Sequence, residues 1–301
     1  MWFNQALMFH YELDTTTPIA EALIPERLKD CPPHARFLYG FMPVIADELA
    51  LEIPGYTLIC LGKEERILPK AVIKRFLDEK VQAIELAEHR TLGRREKSQM
   101  AEDLEFDLLP QAFCLQKKCF ALLDEKSKRL IINTNNVNQA SQLCASLRKA
   151  LPGLRVTPII TEKQLAKTFS TWINHPETLP SAFSLASDCL LFSPDDEKKR
   201  FNCKGYALPA DEILSLLAQG LYTAEISLIW QERIQFTLTH DLTFKRMKCM
   251  DYLVDELQNI HELETAIEQQ SASLTLLGGE IRAMMDDVLK ATALTETTTV
   301  A

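Results

Sequence analysis

The sequence predicts an α+β protein with mixed or antiparallel sheets and a long projecting helical segment. Three observations carry the prediction. Strand-like and helix-like stretches are interspersed without a regular strand–helix–strand rhythm. Residues 222–248 alternate apolar and polar positions over three short runs (Ile226, Leu228, Trp230; Ile234, Phe236, Leu238). Apolar residues at 72, 73, 76, 77, 81, 84 and 87 recur with a helical period, in a stretch too long and too charged for a simple core helix.

Residues 3–13 read as a largely buried, aromatic-rich strand. A helix follows over 18–29, with Pro18 in its first turn. Residues 32–43 are broken by prolines and aromatics and read as irregular. Tyr56-Thr57-Leu58-Ile59-Cys60-Leu61 is a strand. Pro69 suits the start of a helix, the pattern weakens at Gly93, and it resumes towards Leu108-Leu109-Pro110, so 69–109 is one long helix or a helical hairpin. Two strands, 113–123 and 128–134, meet at the turn Asp124-Glu125-Lys126-Ser127. A helix over 136–151 closes at Pro152-Gly153. A strand over 155–160 leads to a helix over 161–174, with Thr161 as its N-cap. A hairpin (183–192, 199–206), a helix stopped by Gly220 and the three-stranded meander come next. From Cys249 onward the chain reads as two helices broken at Gly278-Gly279, with a frayed tail over 295–301. There is no internal repeat. The organisation expected is a central α+β domain over 1–66 and 111–180, a projecting helical tip over 67–110, and a second α+β region over 181–301.

The 301 residues are 47% apolar and 25% charged, the make-up of an ordinary soluble globular protein. None of the eight cysteines forms a Cys-x-x-Cys pair, and most sit in apolar runs, which fits buried reduced thiols in a cytosolic protein. The six histidines have no metal-ligand spacing, and neither a phosphate loop nor a dinucleotide fingerprint occurs, so no metal or cofactor is expected. No basic leader or 18-residue uncharged apolar window is present, and a membrane partner is not expected. Three acidic stretches end in Lys (Asp78-Glu79-Lys80, Asp124-Glu125-Lys126, Asp195-Asp196-Glu197-Lys198). They are the candidates for a Mg²⁺-dependent nuclease, with Asp195, Asp196 and Glu197 foremost, or else ordinary solvated turns.

The formal charge is −9, which on its own argues against nucleic acid. Its distribution argues otherwise. Residues 111–155 carry 8 basic and 2 acidic groups, whereas residues 251–301 carry 2 basic and 10 acidic. The basic block is a phosphate-facing surface or a solvated Lys-rich one. Lys70 and Lys74 are i, i+4 neighbours, and Arg90, Arg94 and Lys97 follow at helical spacing with Arg95 beside them. Glu85, Glu88 and Glu96 lie close enough to hold some of these in ion pairs instead. Lys117 and Lys118 belong to the basic block, and Lys245, Arg246 and Lys248 close the meander. No base-reading signature is present, so any nucleic-acid contact would be to backbone phosphates.

Five separated segments, in register over nearly the whole chain, resemble the recombination-associated RdgC family. They are Lys63-Glu64-Glu65-Arg66-Ile67-Leu68-Pro69, Val72-Ile73-Lys74, Leu108-Leu109-Pro110-Gln111-Ala112-Phe113, Trp230-Gln231-Glu232-Arg233-Ile234-Gln235-Phe236 and Phe244-Lys245-Arg246-Met247-Lys248. The opening Met1-Trp2-Phe3 fits as well. The resemblance implies a cytoplasmic, nucleoid-associated, non-enzymatic protein. Its implied form is a ring-shaped homodimer that encircles double-stranded DNA without sequence preference and restrains the RecA recombinase by competing for DNA. It implies a dimer-interface role for Phe113, whose alternative reading is a core aromatic at a strand start, and a DNA-contacting role for Lys204. Two departures stand out: Gln111 where the family usually has Arg, and Gly205 where the family can carry Gln. On this reading the acidic ends of the chain, if they lie outside the ring, repel DNA from its rim and confine it to the hole. A metal-dependent exonuclease and a direct protein-interaction regulator of the recombinase are the alternatives.

Overall fold

The computed structural model describes residues 3–15, 17–159, 165–193, 196, 199–260 and 265–292. Met1-Trp2, Thr161, Asp195, Glu197 and the 295–301 tail, all singled out from the sequence, lie outside the described residues.

The first sheet contains β1 (Leu7–Glu12), β2 (Phe37–Phe41), β3 (Ala50–Ile53), β4 (Tyr56–Ile67), β5 (Phe113–Asp124), β6 (Arg129–Ile132) and β7 (Arg155–Pro158). Their order is β2-β4-β5-β6-β1-β7, with β3 also on β4, and all these pairings are antiparallel. Along its whole length β4 pairs with β5, from Tyr56↔Asp124 to Ile67↔Phe113. Its other edge is shared, first by β3 and then by β2. Two corrections follow: β2 falls inside the segment read as irregular, and β4 runs on through Lys63-Glu64-Glu65-Arg66. That segment has no apolar alternation because its half-buried side chains meet polar partners, Glu64 the Cys31 amide, Glu65 the Lys63 and Lys117 ammonium groups and Arg66 the carbonyls of Leu109, Pro110 and Ala112, so periodicity has nothing to detect.

Alternation does govern the inner half of the sheet. Ile59, Leu61, Ala121, Leu123, Leu130 and Ile132 face one core, which is covered by α1 (Ile19–Leu23) and α4 (Val137–Ala150). Leu58, Leu122 and Ile131, one position out, face the other core. Asn136 caps α4 as its side chain accepts from the amides of Asn138 and Gln139. Pro25 ends α1 in a short 3-10 turn, so the helix expected over 18–29 is much shorter.

Between β4 and β5 stands a helical hairpin, α2 (Lys70–Glu88) and α3 (Arg94–Leu108), which settles the choice between one helix and two. Pro69 precedes α2, and His89 ends it in the left-handed region at φ 52°. Gly93 begins α3, where its amide donates to Glu96. Arg90 therefore sits in the connection and does not extend the helical row of Arg94 and Lys97.

The second half starts with α5 (Leu165–Asn174). Its sheet contains β8 (Phe183–Phe192), β9 (Arg200–Cys203), β10 (Tyr222–Trp230), β11 (Ile234–Thr239) and β12 (Phe244–Cys249), in the order β12-β11-β10-β8-β9. A helix, α6 (Asp211–Ala218), links β9 to β10, and α7 (Asp251–Ile260) and α8 (Ala266–Ala291) complete the described chain. The start of β1 bonds to the second sheet through reciprocal backbone bonds between Ala6 and Phe244.

The long helix α8 lies between the sheets, burying Leu274, Leu277, Ile281, Met284, Met285, Val288 and Leu289 in the core shared by both. It runs unbroken through Gly278-Gly279, which corrects the expected break. Three of its acids are engaged within the chain. Glu280 bonds Arg233, Asp286 bonds Arg129 and Asp287 accepts from the Trp230 indole. No helix among the described residues is long and apolar enough to cross a membrane.

Candidate nucleic-acid interface

The basic residues fall into three places. The first is a groove on the second sheet. Lys204 follows β9, whereas Lys245 and Arg246 are on β12, the opposite edge of the same sheet. All three nevertheless line one groove with Gln5, Asn135, Asn202 and Glu225, so the sheet curls enough to bring its two edges to a common concavity. Arg246 has φ 52°, at the register shift between β11 and β12. That geometry directs its guanidinium across the sheet towards the Thr237 hydroxyl, to which Nε donates at 3.2 Å. Lys245 reaches Glu225 at 2.8 Å, and Arg246 lies 3.8 Å from Asp188 and 4.0 Å from Glu225. Asp188 also accepts from the Gly205 amide, which fixes the backbone beside Lys204. Lys204 and the exposed Lys248 have no ion pair among the described residues.

The second place is the outer ribbon of β4 and β5. Lys117 and Lys118 are successive strand residues and leave opposite faces, so they do not form one patch. On one face, Glu65 joins Lys63 at 2.9 Å and Lys117 at 2.8 Å. These two ammonium groups, Lys117 first, hold the Glu65 carboxyl below its usual range. The Lys63 ammonium also lies 4.7 Å from the Phe37 ring centre, a cation–π contact. Lys118 is exposed, on the opposite face, and without an ion pair among the described residues.

The third place is the hairpin. Lys70 and Lys74 start α2 and Arg94, Arg95 and Lys97 start α3, at opposite ends of a helix about 28 Å long for its 19 residues. Arg90 is held by Glu88 and Glu96, and Lys97 by Glu85, as the neighbouring acids allowed. Lys70, Lys74, Arg94 and Arg95 have no ion pair among the described residues. Cations at helix N-termini oppose the macrodipole, so helix stability does not account for them there; the same placement concentrates positive potential.

Phe113 is 86% exposed, which excludes the core-aromatic reading within this chain. The register puts it beside Ile67, and places Phe37, Glu65 and Leu115 in the adjacent row on the same face. Phe37, Ile67 and Leu115 are 44–49% exposed. Four large apolar side chains thus share one solvated face around the Lys63–Glu65–Lys117 cluster. Phe113 alone stands out in the sequence, because Ile67, Phe37 and Leu115 join it only through the strand pairing of the outer half of β4. The amides of Gln5, Asn135 and Asn202 carried no sequence signal, because they meet only through the tertiary fold.

Among the described residues, no three His, Cys, Asp or Glu side chains converge as a metal site requires. Asp78 and Glu79 lie exposed on α2, and Asp124 is committed to Arg282.

Residues 1–294 match the family model described as "Putative exonuclease, RdgC". The chain is 29% identical over 294 residues to the recombination-associated protein RdgC of Pseudoalteromonas translucida (strain TAC 125), covering 96% of each. It is 31% identical over 246 residues to that of Yersinia pestis (strain Pestoides F), covering 82% of this chain and 80% of the relative. With alignment over essentially its whole length, the chain belongs to the RdgC family of recombination-associated proteins.

Proposed function

We propose that this chain binds double-stranded DNA without sequence preference, acting as a ring-shaped homodimer that modulates RecA-dependent recombination. The observation that carries the reading is the groove where Lys204, Lys245 and Arg246 meet the amide side chains of Gln5, Asn135 and Asn202, the first two from other segments. Cations with amide donors suit phosphate oxygens, and nothing there matches a base-reading helix. The unpaired Lys70, Lys74, Arg94, Arg95, Lys118 and Lys248 extend the positive surface, and Phe113 with its apolar neighbours supplies a self-complementary contact for the dimer. Family membership supplies the recombination setting; a nucleoid-associated, cytoplasmic location and a non-enzymatic role complete the proposal.

Binding to several unrelated duplexes across a salt series tests it. The logarithm of affinity should fall with the logarithm of salt by about 0.9 per phosphate contact, equally for every duplex. A flat response, or strong preference for one sequence, rejects the reading. Incubating labelled duplex with the protein and Mg²⁺ or Mn²⁺ tests the non-enzymatic part, and cleavage that co-purifies with the chain rejects it.

A further inference from the structure

Cys189 on β8 and Cys203 on β9 are directly opposed across an antiparallel pair. Opposed residues leave the same face with Cα atoms roughly 4.5 or 5.5 Å apart. Disulfides span Cα separations of roughly 4.4–6.8 Å, so the backbone already provides the required spacing. Both side chains pack against the same core, and both thiols are free. Cys60 and Cys119 also sit on adjacent strands, but one position out of register, so they leave opposite faces. The opposed pair is placed where a bond would matter. β9 is a four-residue edge strand that pairs, among the described residues, with β8 alone, and it leads directly into Lys204.

We propose that Cys189 and Cys203 are a covalent modification site, closing a reversible cross-strand disulfide under hydrogen peroxide and stapling β9 to the sheet. Cys203 is the more exposed and reacts first. Its thiolate attacks one peroxide oxygen, the O–O bond breaks, and sulfenic acid forms as hydroxide leaves and takes a proton to become water. The Cys189 sulfur then attacks the sulfenic sulfur; the S–O bond breaks, and the departing hydroxide takes the Cys189 proton as a second water. Two thiols lose two electrons and one peroxide gains them. Burial and the neighbouring thiol push the Cys189 thiol up to about 12, so it stays protonated while Cys203 is oxidised and gives up its proton only as the S–S bond forms. In a reducing cytosol the pair stays open, as free thiols do there.

The test treats the full chain with hydrogen peroxide, alkylates remaining thiols and maps peptides by mass spectrometry. A Cys189–Cys203 cross-linked peptide should form, open with dithiothreitol and be absent from Cys203→Ser. Amide exchange over 200–204 should slow by about tenfold in the oxidised protein, because the edge strand no longer opens locally. Recovery of both residues alkylated, conversion of Cys203 to sulfinic acid, or a cross-link that leaves exchange unchanged overturns the proposal. Neither readout involves DNA, so the result is independent of the proposed function.

Discussion

Arg282 on α8 grips Asp124 at the β5–β6 turn with two nitrogens, Nε to Oδ2 at 2.6 Å and Nη2 to Oδ1 at 2.5 Å. The carboxylate also accepts from the Ser127 hydroxyl and the amides of Lys126 and Ser127, so both its oxygens are satisfied. The same guanidinium stacks over Tyr56, with 4.4 Å to the ring centre. On the other side of α8, Arg233 holds Glu280 at 2.7 Å and Glu256 at 2.5 Å. The helix is therefore fixed to the first sheet by Arg282 and Asp286 and to the second by Glu280 and Asp287, while Glu256 on α7 shares the Arg233 guanidinium. Hydrophobic packing alone would permit it to slide, whereas paired charges with fixed directions specify one position.

Removing the Arg282 charge should be costly. In Arg282→Met, Asp124 is left buried without its cation, and a loss of about 3–5 kcal/mol is expected. The pH dependence has a definite sign. Burial raises the Asp124 carboxyl, but Arg282 and Ser127 outweigh it and the net shift is downward. A carboxyl lowered in the folded state contributes its full increment above its unfolded value of about 3.9. The increment disappears as pH falls through the lowered folded value. Urea midpoints should therefore differ strongly between the wild type and Arg282→Met at pH 7 and converge in strong acid. A gap that persists unchanged at pH 2 means the pair is not its source.

The groove predicts opposite effects for neighbouring residues. Lys204→Ala removes a cation with no partner to release, so the salt slope should fall by about 0.9 with affinity reduced on every duplex. Glu225→Gln frees Lys245 and Arg246 from a competing carboxylate. The pairs are partly exposed and worth about 0.2–1 kcal/mol, so binding should tighten by roughly 1.5- to 5-fold. Fluorescence anisotropy at three salt concentrations distinguishes the two. Weaker binding by Glu225→Gln would show that the carboxylate positions those cations productively instead of competing for them.

Phe113 predicts a separation of assembly from folding. It is solvated in the single chain, so Phe113→Ser should move the unfolding free energy by no more than about 0.5 kcal/mol. If the patch is a dimer contact, losing its central aromatic should cost about 2 kcal/mol or more of association, roughly a 30-fold weaker dimer. Sedimentation at matched concentrations reads this directly. An unchanged mass distribution removes Phe113 from the interface.

What the sequence made legible follows from where periodicity is imposed. The meander, α4 and the inner half of β4 and β5 each have one side against a core, and their apolar spacing declares it. The outer half of β4 is flanked by polar partners instead of a core, so Lys63 to Arg66 carry no apolar alternation. The charge blocks located cations but not their partners: nothing local in the sequence joins Lys245 to Glu225 across β11, or places Lys117 and Lys118 on opposite faces. The acidic C-terminus shows the same limit, because nothing local in the sequence joins Glu280, Asp286 and Asp287 to Arg233, Arg129 and Trp230.

Gly278 and Gly279 show the same limit within two adjacent residues, and they can be told apart by a single methyl group. Both lie inside α8, where glycine costs about 0.5–1 kcal/mol relative to alanine. A Cβ on Gly279 would meet nothing within 4 Å. Gly279→Ala should therefore stabilise the protein by about that amount, since only the helix propensity changes. A Cβ on Gly278 would come within 3.0 Å of two Tyr56 ring carbons. That ring is buried within the core and stacked on the Arg282 guanidinium engaged with Asp124, so it has little room to retreat. Overpacking of this kind costs about 1–3 kcal/mol, which outweighs the propensity gain, and Gly278→Ala should lower the thermal midpoint. Replacing Tyr56 by Leu in the Gly278→Ala background should recover part of the loss. If both alanine variants stabilise the protein equally, α8 does not approach β4 as closely as Tyr56 and Gly278 indicate.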